Sequence, residues 1–420
     1  MRTPQLPLRT QPGSAPPFHV WRRVLALAAA TVLAAGIFEL LHSVAHAAPQ
    51  DSAPPTSAQR KGGAKIGDDV RINRTGFTSA RVCGRCHVDI YSSWKNSLHA
   101  FSLSDPVFDT AYMLATKEAG DAARKLCLRC HAPLTMSNGD YELRQAVTAE
   151  GVTCDFCHTV TAVQLDDSRR PYVLQPGLVK RSILRHASSP KHDVAFSELH
   201  GKAEFCGGCH NYVAPNGTPI MTTYDEWREG PYAAEGKPCQ HCHMALGAGR
   251  VVSRDIKETG PDEIHLHRLI HDSDQLRSAL KVEIVEAVRR GQELRVTATV
   301  KNVGSGHKVP TGIPSREINL VVSVDVGGRT QKQERRYRRV LADKDGVELK
   351  RDHQFFLHAA SVVSDNRIAP REERFERFKF WVPKSGKFKV EAELTYQYAP
   401  LLLEPRPMVV RLHHAERYGP

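Results

Sequence analysis

Stray cysteine is absent from this sequence: all ten cysteines fall into one repeated pattern, and none is left over for any other use. Methionine and tryptophan are scarce, at six and four in 420 residues. Beyond the N-terminal region no apolar run is long enough to span a bilayer, which needs about 20 residues. No glycine-rich phosphate loop and no Ser/His/Asp set occurs in supporting context, so nothing points to nucleotide or hydrolytic chemistry. What remains is an ordinary globular balance of 41% hydrophobic and 25% charged residues with a mean hydropathy of −0.40. The length allows two to three domains.

The cysteines stand in five Cys-x-x-Cys-His units: Cys83, Cys86 and His87; Cys127, Cys130 and His131; Cys154, Cys157 and His158; Cys206, Cys209 and His210; Cys239, Cys242 and His243. Zinc ribbons need two cysteine pairs per metal and place no demand on the next residue. Disulfides do not need the histidine either. The spacing is instead the attachment signature of c-type haem: two thiols add to the vinyl groups on one porphyrin edge, and the histidine reaches the iron. The sequence therefore predicts five covalently bound haem c groups. No Cys-x-x-Cys-Lys is present. The motifs start at 83, 127, 154, 206 and 239, without the fixed period of a solenoid.

Residues 1–47 read as a secretory signal peptide. Four arginines precede an apolar run from Val24 to Phe38, and Ala45-His46-Ala47 offers a cleavage site. An uncleaved anchor reaching Leu41 across Glu39 is the alternative. A Pro/Ser/Ala/Gly-rich linker fills residues 48–69. Export agrees with haem attachment outside the cytosol, so a periplasmic or extracellular location is expected, with membrane association only through the N-terminus. The formal charge of +12 overstates the working protein's basicity. The first 47 residues carry four arginines against one glutamate, and each haem adds two propionates. No nucleic-acid partner is expected; the run from Arg335 to Arg339 is read as a solvated strand face.

Residues 70–274 form the expected pentahaem domain, α-helical and irregular, with haems as its core; so short a stretch cannot otherwise bury enough apolar surface. Helices are predicted at Val88–Leu98, Ser104–Thr116 and Asp225–Arg228. After Asp274 period-two alternation begins, as in Leu294/Val296/Ala298/Val300, Ile318/Leu320/Val322/Val324 and Phe388/Val390/Ala392/Leu394. Turn signals between such runs predict an all-β immunoglobulin-like sandwich over residues 275–420.

Each motif histidine leaves a sixth iron position. Nine further histidines between Val70 and Pro310 can fill it: His99, His186, His192, His200, His241, His265, His267, His271 and His307. His99 follows a helix that places Ile90 and Trp94 on one face. His307 sits in a Gly- and Pro-bounded loop between strands, and His192, His200 and His267 are further candidates. His241 is expected to be exposed; His186, His265 and His271 are reserves. His353, His358, His413 and His414 are assigned to the sandwich surface, and Met244 remains a conceivable ligand.

The sequence resembles the multihaem cytochromes c related to the tetrahaem electron-transfer cytochrome of nitrifying bacteria. The residues concerned are Cys83 to Tyr91, Trp94, Ser97 and His99; Cys127 to His131 with Glu150 to His158; His192, His200 and Cys206 to His210, leading to Tyr224-Asp225-Glu226-Trp227 and Cys239 to Met244; and Gly306 to Gly312. They span about residues 75–325. The resemblance implies distal ligation by His99 and His307 and an extracytoplasmic electron carrier. The sequence departs from the family pattern after His99 and His267. The expectation is an exported electron-transfer cytochrome with unidentified redox partner proteins and a capacity to oligomerise. Its rivals are a reductase or oxidase of small nitrogen or sulfur species at one five-coordinate haem, and a polymerising or docking subunit.

Overall fold

The computed structural model describes residues 69–256, 261–269, 273–398 and 408–420. The segment read as a signal peptide, residues 48–68 of the one read as a linker, and His271 lie outside the described residues.

The N-terminal half is built from short pieces. Helix α1 (Ala80–Cys83) leads into the first motif and α2 (Val88–Trp94) follows it. Ile90 and Trp94, four residues apart, share one face, and the Trp94 indole donates to Val152 O at 2.9 Å. The α2 helix stops at Trp94, with turns rather than helix continuing to Leu98. Helix α3 (Pro106–His131) is much longer than the 104–116 span predicted. Asp105 caps it by accepting from Val107 and Phe108 N–H, and Pro106 occupies the first turn, where its missing N–H costs nothing. Gly120, at φ 54°, breaks the helix regularity before the second motif. The remaining motifs lie on α4 (Cys154–Cys157), α5 (Glu204–His210) and α7 (Cys239–His243), with α6 (Thr223–Arg228) between the last two. Two-stranded ribbons, with strands of two to four residues, and longer turns join them.

The C-terminal region is rich in β-structure. Its strands are β1 (Leu280–Arg290), β2 (Glu293–Asn302), β3 (Arg316–Val326), β4 (Arg329–Tyr337), β5 (Arg339–Ala342), β6 (Ser361–Asp365), β7 (Glu373–Trp381), β8 (Phe388–Tyr398) and β9 (Met408–Gly419), with helix α8 (Asp352–His358) after β5. One antiparallel sheet has the order β7-β2-β1, a second the order β4-β3-β8-β9, and β5 pairs with β6. Register places Val296 opposite Phe378, and Leu320 opposite Leu394. The alternating apolar residues of both sheets share one core that includes Val296, Leu320, Phe380 and Leu394, all at most 1% exposed. Each such side chain contributes about 1.5–3 kcal/mol by leaving water. A second apolar cluster joins Tyr212 and Ile220 from the motif region to Leu341 and Phe355. Residues 65–420 form one compact unit.

Two expectations for this region are overturned. The run Arg335–Arg339 is not wholly a solvated face: Arg335 and Arg336 are exposed, but Tyr337 is buried and Arg339 is 8% exposed, drawn inward by Asp365 and Thr222. His353 is not a surface residue. It is 7% exposed because α8 packs it against α3, beside Glu118. Among the described residues no helix is long and apolar enough to cross a membrane.

Candidate functional site

All five motifs open onto one continuous cavity of ≈ 2410 Å³, whose lining includes every one of the ten cysteines and five motif histidines. Ordinary ligand pockets run about 300–1,000 Å³. A set of large apolar groups fits such a space, and one small molecule does not.

The motif histidines are oriented from behind. The ring Nδ1 of His87 meets Val251 O at 2.6 Å, that of His131 meets Ser102 O at 2.8 Å, and that of His158 meets Arg181 O at 2.6 Å. A backbone carbonyl on Nδ1 fixes the tautomer that leaves Nε2 as the acceptor, the usual support for a metal-ligating imidazole. Burial depresses the pKa of His131 to about 4 and, with the charges of His99 and His243, that of His210 to about 3. These rings are therefore neutral at pH 7, as ligation requires.

Four motif histidines face a second imidazole. Ring centroids are 6.1 Å apart for His87 and His192, 6.2 Å for His210 and His99, and 6.4 Å for His243 and His307, the last pair only 11° from coplanar. His158 faces two rings, His200 at 5.9 Å and His267 at 6.4 Å. Metal–imidazole bonds of about 2 Å on both sides of one ion put two ring centroids roughly 6 Å apart. All five spacings fit an ion shared between two rings.

The two rings facing His158 differ in their hydrogen bonds. His267 meets His265 O through Nδ1 at 2.7 Å. His200 is engaged at both nitrogens, by Ser197 Oγ and by Cys157 O, each at 2.9 Å. His192 and His307 follow the first pattern, meeting Asp193 O at 3.0 Å and Lys308 O at 2.9 Å. His241 is exposed, as expected; of the reserves, His186 is exposed and His265 meets Met244 O through Nδ1.

His131 is the exception. Among the described residues no second histidine ring pairs with it; Phe108 stacks on it at 3.7 Å and 12°. Phe108 was not singled out in the sequence, where it is one apolar residue in an amphipathic helix.

The His307 loop is held by the other half of the chain. Glu226 on α6 accepts from Lys308 N at 3.2 Å and Thr311 Oγ1 at 2.9 Å, while Thr222 Oγ1 donates to its other oxygen at 2.6 Å. Arg367 pairs with Glu226 at 2.7 Å and with Asp365 at 2.8 Å, and Arg339 joins Asp365 at 3.0 Å. From the end of β2, Asn302 donates to His307 O at 3.1 Å. The only sequence trace of Glu226 is its place in Tyr224-Asp225-Glu226-Trp227.

Thiols of different motifs also meet. Cys154 lies beside Cys83, Cys209 beside Cys130, and Cys206 beside Cys239. The first and third motifs are thus neighbours, and the fourth adjoins both the second and the fifth. Spatial order is not sequence order.

Five Cys-x-x-Cys-His units around one cavity, four with facing imidazoles, give the architecture of a multihaem cytochrome c. A family model described as "Cytochrome c554 and c-prime" matches residues 82–159. The penta-heme cytochrome c552 from Thermochromatium tepidum is similar in structure, with a TM-score of 0.64 and 22% identity over 81% of this chain and 99% of that one. This chain shares its fold. The CARDB domain of the PF1109 protein from Pyrococcus furiosus matches 33% of this chain and 88% of its own at 16% identity, with a TM-score of 0.16. No curated protein sequence matches.

Proposed function

We propose that this protein is an exported pentahaem c-type cytochrome that transfers electrons between redox partner proteins. Haem c at each motif would supply a one-electron iron centre. The cysteine pairs would hold the group by thioether bonds, and His87, His131, His158, His210 and His243 would each supply an iron ligand. His192, His267, His99 and His307, which face His87, His158, His210 and His243, would supply the second ligands. His200 supports the third site through Cys157 O instead. The residue roles then divide simply: ligands fix the iron's coordination, their carbonyl partners hold the rings in place, and the buried walls exclude water. The location is periplasmic or extracellular. Residues 70–274 are the haem domain, and residues 275–420 an immunoglobulin-like sandwich that delivers His307.

The facing imidazole pairs carry this reading. Four sites closed on both sides suit electron transfer, because a six-coordinate iron has no place for substrate and rearranges little on reduction. His131, with Phe108 and no second histidine among the described residues, favours a second reading for one site: reduction or oxidation of a small nitrogen or sulfur species at a five-coordinate haem. Electron paramagnetic resonance of the oxidised protein, followed by carbon monoxide addition to the reduced protein, decides between them. A carrier shows low-spin signals alone and no carbon monoxide shift. A single high-spin signal with carbon monoxide binding assigns the chemistry to the His131 site. High-spin signals from several haems would discard the ligand pairs.

A further inference from the structure

The arginines along the seam between the two regions are not alike: Arg339 and Arg367 are buried and Arg316 is half-buried. Arg339 and Arg367 have carboxylate partners, sharing Asp365 and Glu226. Arg316, at the start of β3, has none. Its Nη1 donates to Thr311 O at 3.3 Å, and its Nε is buried without an acceptor. The guanidinium lies 5.6 Å from the Tyr398 ring centroid and packs on Gly312, where an added Cβ would come within 3.0 Å of Nη1. The acid whose charge reaches it is Asp352, but both Asp352 oxygens are already taken, by Ser315 Oγ and Tyr398 OH at 2.6 Å each. No described carboxylate forms an ion pair with Arg316.

Arg316 lines the cavity, and its charge is felt at His210 and His307, members of the fourth and fifth facing pairs. A half-buried guanidinium with a buried, unpaired Nε–H is costly unless a counter-charge and hydrogen bonds complete it. Here the protein leaves one side of the guanidinium to the cavity's occupant. A planar fork with unused N–H groups matches a carboxylate better than any other anion a c-type haem carries.

We propose that Arg316 binds a propionate carboxylate of haem at the wall between the fourth and fifth motifs. This rests on haem occupying those motifs. A fixed cation there favours the reduced iron, whose net charge is one unit lower, so Arg316 raises the potential of the haem it holds.

The test uses full-length holoprotein with Arg316→Gln and Arg316→Lys. Pyridine haemochrome first counts haem in wild type; fewer than five groups sinks the underlying reading and leaves the titration without meaning for this arginine. With five present, spectroelectrochemical titration of Arg316→Gln is expected to show one midpoint potential lowered and the other four in place, all haems remaining low-spin or high-spin as in wild type. Arg316→Lys should return most of the shift, since it restores charge without the fork. If Arg316→Gln does not accumulate, Arg316→Lys is read alone, with a smaller fall in the same single potential expected. Five unchanged potentials would overturn the proposal. So would a new high-spin signal in place of the shift, because Arg316 would then serve only to prop the Thr311 loop behind His307.

Discussion

Glu226 accepts the backbone N–H of Lys308 at 3.2 Å, one residue beyond His307 and 82 positions away in sequence. That contact places a candidate iron ligand, carried by the β-rich region, under the control of a carboxylate that follows the fourth motif. Glu226→Ala should leave Arg367 short of a buried partner and cost about 3–5 kcal/mol in chemical unfolding of the holoprotein. Glu226→Gln keeps an acceptor for Lys308 N–H but loses the charge. It is expected to lower stability while the spin state of the His307 site stays as in wild type.

Two histidines face His158, and the hydrogen bonds separate them. His267→Ala should open one iron position, seen as one new high-spin signal and one new carbon monoxide equivalent. His200→Ala, whose ring is occupied at both nitrogens, should add neither. The reverse result would exchange their roles.

His307→Ala should likewise open one haem and leave the other signals untouched. The same substitution removes a tie between the two regions, so limited proteolysis near residues 303–312 should speed up. An unaltered spectrum would return His307 to the role of a loop residue.

Acid should reveal the seam through Asp365. Burial opposes its charge, but hydrogen bonds and charges from Arg367 and Arg339 hold its carboxyl well below the usual range. A depressed carboxylate pKa contributes stability that is complete above the unfolded value, about 3.9, and is lost as pH falls through the lower folded value. The unfolding free-energy gap between wild type and Asp365→Asn should therefore stay constant from pH 8 to about pH 5 and close below pH 4. A gap that changes between pH 6 and 8 would point to a histidine instead.

Intact mass of the exported protein should show five haems, and expression without residues 1–47 should yield no haem-stained product. Abundant cytoplasmic holoprotein would defeat the export argument.

Much of the site could be read from sequence because haem attachment is local: five residues specify each unit wherever they fall. The strands with strict alternation, such as β3 and β8, were equally plain, since one face of each is buried. Strand β4 was not, because Arg329–Arg336 has polar residues on both faces and only Tyr337 is buried. Contacts between distant segments were beyond reach. Phe108 against His131, Arg339 with Asp365, and His353 behind Glu118 each depend on where a remote element comes to rest. His200 shows the limit from the other side: it lies at the right separation from His158, and only its hydrogen bonds tell it apart from His267.

The thiol contacts have a consequence for robustness. Cys209 reaches Cys130 and Cys206 reaches Cys239, so two neighbours meet the fourth motif alone, while Cys206 also feels Cys157 of the third. Treated as a network, the motifs form a branched tree with its junction at the fourth. Damage to the second or fifth motif prunes a single tip. If the proposed haems follow these contacts, damage at Cys206, Cys209 or His210 would cut the tree into three fragments, where damage to the first, second or fifth motif leaves the rest joined.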